Sequence, residues 1–145
     1  MCVSAIDVAA YVLQKQGDMP VMKLQKLIYY SQAWSLVWDD KPLFQDRIEA
    51  WANGPVVRSL YMKLRGQFIV TEIPEGDSNL LDDTQRETVD AVLEFYGEHS
   101  SQWLSDLSHM ETPWKEARYR AGLTDGERGQ AIISEAAMAE YYSSL

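Results

Sequence analysis

The stretch Val21-Met22-Lys23-Leu24-Gln25-Lys26-Leu27-Ile28-Tyr29-Tyr30-Ser31-Gln32-Ala33-Trp34-Ser35-Leu36-Val37-Trp38 decides the fold. At 3.6 residues per turn, Leu24, Leu27, Ile28, Ser31, Trp34 and Trp38 share one stripe, while Tyr29, Tyr30, Ala33, Leu36 and Val37 cover the other sides. A helix apolar nearly all round is buried on all sides, so this segment is predicted to be the central helix of a globular domain. Its uncharged run, Leu27 to Trp38, is 12 residues long, well short of the ~20 needed to cross a bilayer. Lys23 and Lys26 lie three apart in its first turns, where the helix dipole disfavours cations. They either pair with nearby acids or form an exposed contact patch.

Working outward, Ser4 caps a first helix ending near Gln16, and Gly17 suits its C-terminal position. Asp18-Met19-Pro20 breaks the chain before the central helix, and Asp39-Asp40-Lys41-Pro42 forms a loop after it. Ile48-Glu49-Ala50-Trp51 alternates like a short strand. Asn53-Gly54-Pro55 is predicted to start a helix over 55–65, with Pro55 at its first position and Gly66 ending it. Gln67 to Ile73 is rich in β-formers and is predicted to pair with the Ile48 segment. Asp82 or Asp83 caps a helix to about Tyr96, Ser100 or Ser101 caps a shorter one holding Trp103, Leu104 and Leu107, and Thr112-Pro113 starts another that closes at Gly122. Ser134 caps the last helix, with Ile133 and Met138 placed as a hydrophobic staple. The order predicts a mainly α fold: a single compact helical domain over residues 1–145, with a buried central helix and a small two-stranded β ribbon.

The chain has 145 residues with 22 acids, 13 bases and a net charge of −9. That length fits one domain, and 46% hydrophobic residues suffice for a core. Residues 1–70 hold 8 bases and 6 acids, whereas residues 71–111 hold 11 acids and one base, Arg86. The overall charge argues against nucleic-acid binding, which relies on cations to neutralise phosphates. The acidic segment serves either as solvated surface or as a docking face for a basic protein. Its candidate contact residues are Glu87, Asp90, Glu94 and Glu98. No basic, apolar leader opens the chain, and a single cysteine, Cys2, favours a reducing compartment. The expected location is cytoplasmic, with no membrane association.

No phosphate loop, HExxH, GxSxG or CxxC motif is present. Cys2, at the terminus, lacks the positioned base that a catalytic thiol needs. His99 and His109 are too few and too far apart for a zinc site, and the pairs Asp39-Asp40 and Asp82-Asp83 fall where acids cap helices. No catalytic, metal or cofactor site is therefore expected; a hydrolytic pair of His109 with Glu111 is the remaining enzymatic alternative. Five tryptophans and eight tyrosines stand out instead. Trp34, Trp38, Trp51, Trp103 and Trp114 are each expected in the core. Tyr141 and Tyr142 are adjacent, so one must face outward, and both are candidate contact residues.

Three segments together resemble a known family. The first is Met22 to Trp34, carrying Leu24, Lys26, Leu27, Tyr29, Tyr30 and Trp34. The second comprises Pro42-Leu43-Phe44, Ile48 to Val57 with Trp51, Gly54, Pro55 and Val56, and then Tyr61. The third is Leu104 to Arg118, with His109, Pro113 and Trp114. In this order they are similar to the SocA-like, or Panacea, antitoxin domain, also known as the GepA-type phage-associated protein, over about residues 5–142. The resemblance implies a non-catalytic antitoxin that neutralises a toxin by binding it, of prophage or mobile-element origin. For the SocA type it implies an adaptor that delivers the toxin to a ClpXP-type protease. The alternative is a phage or prophage adaptor acting on a host protein without a cognate toxin. The motif residues are read mostly as fold markers. Gly54-Pro55-Val56 makes a tight approach into a helix, and His109 ties two helices together. The oligomeric state stays open.

Overall fold

The computed structural model describes residues 3–145; Cys2 lies outside them. Helix α1 (Ala5–Gln16) starts at a capping box in which the Ser4 hydroxyl accepts from the Asp7 amide and the Asp7 carboxylate accepts from the Ser4 amide. It ends at Gly17, whose φ of 81° is left-handed. Strand β1 (Met19–Pro20) leads into α2 (Val21–Trp38), the predicted central helix. Its residues Leu24 to Ala33 are buried without interruption, and it packs against α1 as well as against β3, α4, α5 and α7, defined below.

After α2 come β2 (Ile48–Trp51), β3 (Gly54–Val57), α3 (Arg58–Lys63) and β4 (Ile69–Val70). A 3-10 turn over Ser78–Leu80 precedes α4 (Asp83–Tyr96), α5 (Ser101–Met110) and α6 (Thr112–Arg120), and β5 (Ala131–Ile133) precedes α7 (Glu135–Ser143). Asp82, Ser100 and Ser134 cap α4, α5 and α7, as the sequence predicts. One cluster of buried apolar side chains, from Val3 to Tyr142, joins these elements into a mainly α molecule.

The β structure corrects two expectations. Pro55 does not open a helix: Gly54–Val57 is a strand, paired antiparallel with β2 as Trp51↔Gly54 to Ile48↔Val57, and the helix begins only at Arg58. Proline is tolerated there because β3 is an edge strand in the order β3-β2-β5, so its missing N–H breaks no central ladder. Residues 67–73 do not pair with Ile48 either. Ile69–Val70 pairs with Met19–Pro20, and the other neighbour of Ile48 is Ile133 in β5. The tryptophans divide. Trp114 is buried and Trp34 and Trp51 are half-buried, but Trp38 and Trp103 are exposed, each stacked on a neighbour, Trp34 and His99 respectively.

Candidate functional site

The β2–β3 turn is held from behind by side chains of α5 and α6. Four successive carbonyls are each met by a different residue. Arg118 Nη1 donates to Ala50 O at 2.9 Å, Trp114 Nε1 to Trp51 O at 2.8 Å, and Ser105 Oγ to Asn53 O at 2.9 Å, while His109 Nε2 lies 3.0 Å from Ala52 O. The other His109 nitrogen faces the Ser105 carbonyl. The His109 hydrogen bonds thus join α5 to the turn and not, as expected, to α6, which it meets only by packing on the Trp114 ring, 4.2 Å between centroids. Pro113 is buried at the start of α6 and helps set Trp114 in place. Gln25, buried on α2, both donates to and accepts from the Val57 backbone, fixing the far end of the hairpin.

In front of this turn lies a cleft of about 750 Å³. Its walls are the first turns of α2, the β2–β3 turn, α3 and the segments at 67–68 and 128–130. Alternation on β2 sends Glu49 and Trp51 to one face. The Glu49 carboxylate, 1% exposed, accepts the Trp51 indole N–H at 2.7 Å and pairs with Arg47 at 2.8 Å and Arg58 at 3.7 Å. Trp51 in turn packs edge-on against Tyr61, with ring centroids 4.7 Å apart. Lys26 reaches the cleft although it is only 2% exposed, and burial pushes its ammonium down to about 8. Gly54 makes room for it: at φ 124°, a Cβ on Gly54 would sit 2.7 Å from Lys26 Cε. Val56 also lines the cleft, so the first and second sequence motifs meet here and the third holds the turn between them.

At the other end of α2, Glu111 is buried and accepts hydrogen bonds from Tyr30 Oη at 2.7 Å and Tyr142 Oη at 2.8 Å. Tyr29 and Tyr142 share a hydroxyl contact of 3.0 Å, and the Trp34 indole donates to Tyr96. Burial pushes the Glu111 carboxyl above the usual carboxylate range, against the pull of its two tyrosine hydrogen bonds. Glu111 and His109 have separate partners and form no hydrolytic pair.

The structure separates the expected contact residues. Glu87 and Glu94 are exposed on α4, as is Phe95 at 65%, and Glu98 is exposed just past the end of the helix. Asp90 is half-buried and engaged by Tyr11 Oη at 2.8 Å and Lys15 at 3.8 Å. Lys23 is half-buried and outside the cleft lining. Two expectations are corrected. Lys26 forms no exposed patch because the cleft encloses it, and Tyr142 faces the core, so of the adjacent pair Tyr141 is the one that reaches the surface. Leu24 and Leu27 are core residues. Sequence reasoning missed Gln25, Ser105 and Arg118. Their signal was polarity on otherwise packed faces, which is visible only once the turn they serve is in place. Among the described residues no group of three His, Cys, Asp or Glu side chains is placed to hold a metal, and no helix is long and apolar enough to cross a membrane.

One family model matches the chain, that of the antitoxin SocA-like, Panacea domain, over residues 24–115. The matched region runs from the start of the buried part of α2 to Lys115, and so takes in Gln25 and Lys26 of the α2 wall, the cleft walls from β2, β3 and α3, and all but Arg118 of the side chains that hold the turn. No curated relative and no solved structure matches the chain significantly.

Proposed function

The chain belongs to the antitoxin SocA-like, Panacea domain family, and from that membership we propose that it neutralises a partner toxin by binding it directly, without catalysis, as a single domain in the cytoplasm. The family match over more than half of the chain carries this reading. The geometry supports it. The polar side chains of the third motif are spent on backbone carbonyls, building a rigid surface feature rather than presenting a nucleophile to a base. Exposed aromatic side chains, among them Phe95, Trp103 and Tyr119, offer the kind of residue that anchors protein interfaces.

The test is co-expression with the small open reading frame beside this gene. The neighbour alone should stop growth, growth should return when this chain is co-expressed, and the two should co-purify as a complex. Growth arrest unrelieved by this chain overturns the antitoxin reading. Recovery of a protease unfoldase with no toxin replaces it with an adaptor that acts on a host protein.

A further inference from the structure

The cleft in front of the β2–β3 turn carries the opposite charge to the molecule around it. Lys26, Arg58, Arg65 and Arg128 line it, and none of the lining residues is acidic, in a chain of net charge −9. The nearest acid in the sheet, Glu49, is already taken up by Arg47, Arg58 and the Trp51 indole. Among the described residues no carboxylate lies within ion-pair distance of Lys26. A buried ammonium without a counter-charge is costly, and this one is held beside a glycine whose missing Cβ leaves it room. The N-terminus of α2 adds to the same field. Val21 and Met22 line the cleft, no side chain caps this end of an 18-residue helix, and its first turn holds no acid. Three features therefore direct positive charge at one concavity: the enclosed lysine, which has no counter-charge, the arginines, of which Arg58 is shared with Glu49, and the helix terminus, whose first amide is bonded to the Phe68 carbonyl. The rim also carries exposed, adaptable apolar side chains, Met62 and Phe68.

We propose that this cleft binds an acidic segment of the partner protein, with a carboxylate seated against Lys26 and further acids met by Arg58, Arg65 and Arg128, while Met62 and Phe68 cover its apolar residues. This rests on the antitoxin reading for the nature of the partner, and on the charge and geometry of the cleft for its chemistry. The bound carboxylate supplies the counter-charge that the fold withholds from Lys26, and charge-assisted hydrogen bonds in such an enclosed site are the strong ones. Because the free lysine is partly neutral near pH 8, seating the carboxylate also draws a proton onto it.

The probe is a fluorescein-labelled peptide of interspersed Glu, Leu and Trp, titrated into the full-length protein, with inorganic pyrophosphate as the small-anion comparison. Lys26→Met keeps the length and apolar body of the side chain, and the double variant R65E/R128E changes only exposed positions. Melting curves establish that both are folded. The expected result is peptide binding that weakens with salt, falls about tenfold in Lys26→Met and is lost in R65E/R128E. Calorimetry near pH 8 in buffers of different ionisation enthalpy should show proton uptake in the parent and none in Lys26→Met. Peptide binding that is equal in parent and variants overturns the proposal, as does saturation by pyrophosphate with no binding of peptide. Co-expression separates it from the reading it rests on. Variants that lose the peptide yet still neutralise a toxin leave the antitoxin function standing and overturn the cleft as its contact. A parent that neutralises nothing overturns the antitoxin function, and the peptide titration then decides the cleft by itself.

Discussion

The outer face of α4 and the residues just past it present Glu87, Glu94 and Glu98 to water, with Phe95 exposed among the α4 residues, whereas the cleft gathers Lys26, Arg58, Arg65 and Arg128 around the β2–β3 turn. By count the acidic region dominates the chain, with 11 acids between residues 71 and 111. By placement the cleft is the more specific feature. The α4 acids are solvated and free to reorient, and such charges contribute little to stability and act over distance. Of the cleft's charges, Lys26 lies against Gly54 of a turn with four braced carbonyls, and Arg58 pairs with the Glu49 that also holds Trp51. Charge counted along a sequence measures long-range field; charge placed on braced backbone makes a site.

The largest effect should come from removing the brace. Trp114 is 7% exposed and donates to Trp51 O. Trp114→Ala should destabilise the fold by about 3–5 kcal/mol, whereas Phe95→Ala on the α4 face should cost less than about 0.5 kcal/mol. Denaturant titration of both variants checks the contrast, and equal losses would break it. Trp114→Phe, which keeps a ring but drops the indole N–H, should cost about 1 kcal/mol.

Next in size is Gly54. A side chain there meets Lys26 Cε at 2.7 Å and forces a φ of 124° on an L residue. Gly54→Ala should cost about 1–3 kcal/mol. In the Lys26→Ala background the clash with Lys26 disappears, leaving the backbone strain and the 3.3 Å approach to Ser108 Oγ, so the two substitutions should be non-additive in a double-mutant cycle. Additivity would mean that Gly54 does not serve Lys26.

Glu111 is the acid that departs from the rest of the 71–111 region, being buried among Tyr30 and Tyr142 instead of solvated. Its carboxyl is raised by burial, so the folded state holds the proton more tightly than the unfolded chain. Its favourable contribution is complete below the unfolded carboxylate range and is lost as pH rises through the raised folded value. Glu111→Gln removes that titration while keeping an acceptor for both hydroxyls. The melting temperature of the variant relative to the parent should therefore climb as pH is raised from about 4 towards neutrality. A constant difference across that range would place Glu111 with the solvated acids.

The helices were legible because their signals are local. Ser4, Asp82, Ser100 and Ser134 each announce a start within a few residues, and the all-round apolar pattern marks α2 as central. The strands were not. Pro55 suits a helix start and an edge strand equally, and it becomes a strand by pairing with Ala50 on a β2 whose other side is filled by β5, from a distant part of the chain. The cleft was half-legible. Lys26, Trp51, Gly54 and Tyr61 stand in the motifs, but Arg65 and Arg128 join them only through tertiary packing. A surface lysine and an enclosed one also read the same in sequence. Tyr142 and Asp90 show the converse: both are polar residues in a charged region, yet one is buried against Glu111 and the other is held by Tyr11 and Lys15.

The smallest effect on the protein itself should follow from neutralising the acids on and just past α4. Glu87, Glu94 and Glu98 are exposed, so converting all three to glutamine should shift stability by less than about 0.5 kcal/mol. Asp90 is left in place because its bond to Tyr11 would confound the result. If the acidic face steers a basic surface of a partner protein, the triple variant should associate more slowly at low ionic strength, with dissociation unchanged, and the gap should close as salt shortens the screening length. Substitutions in the cleft should do the reverse, chiefly accelerating dissociation, because they remove seated contacts rather than a distant field. Kinetics by surface plasmon resonance over a salt series resolves the two. A triple variant with parental association at every salt concentration would reduce the α4 charge to solvation and leave the cleft as the charged feature that recognises a partner.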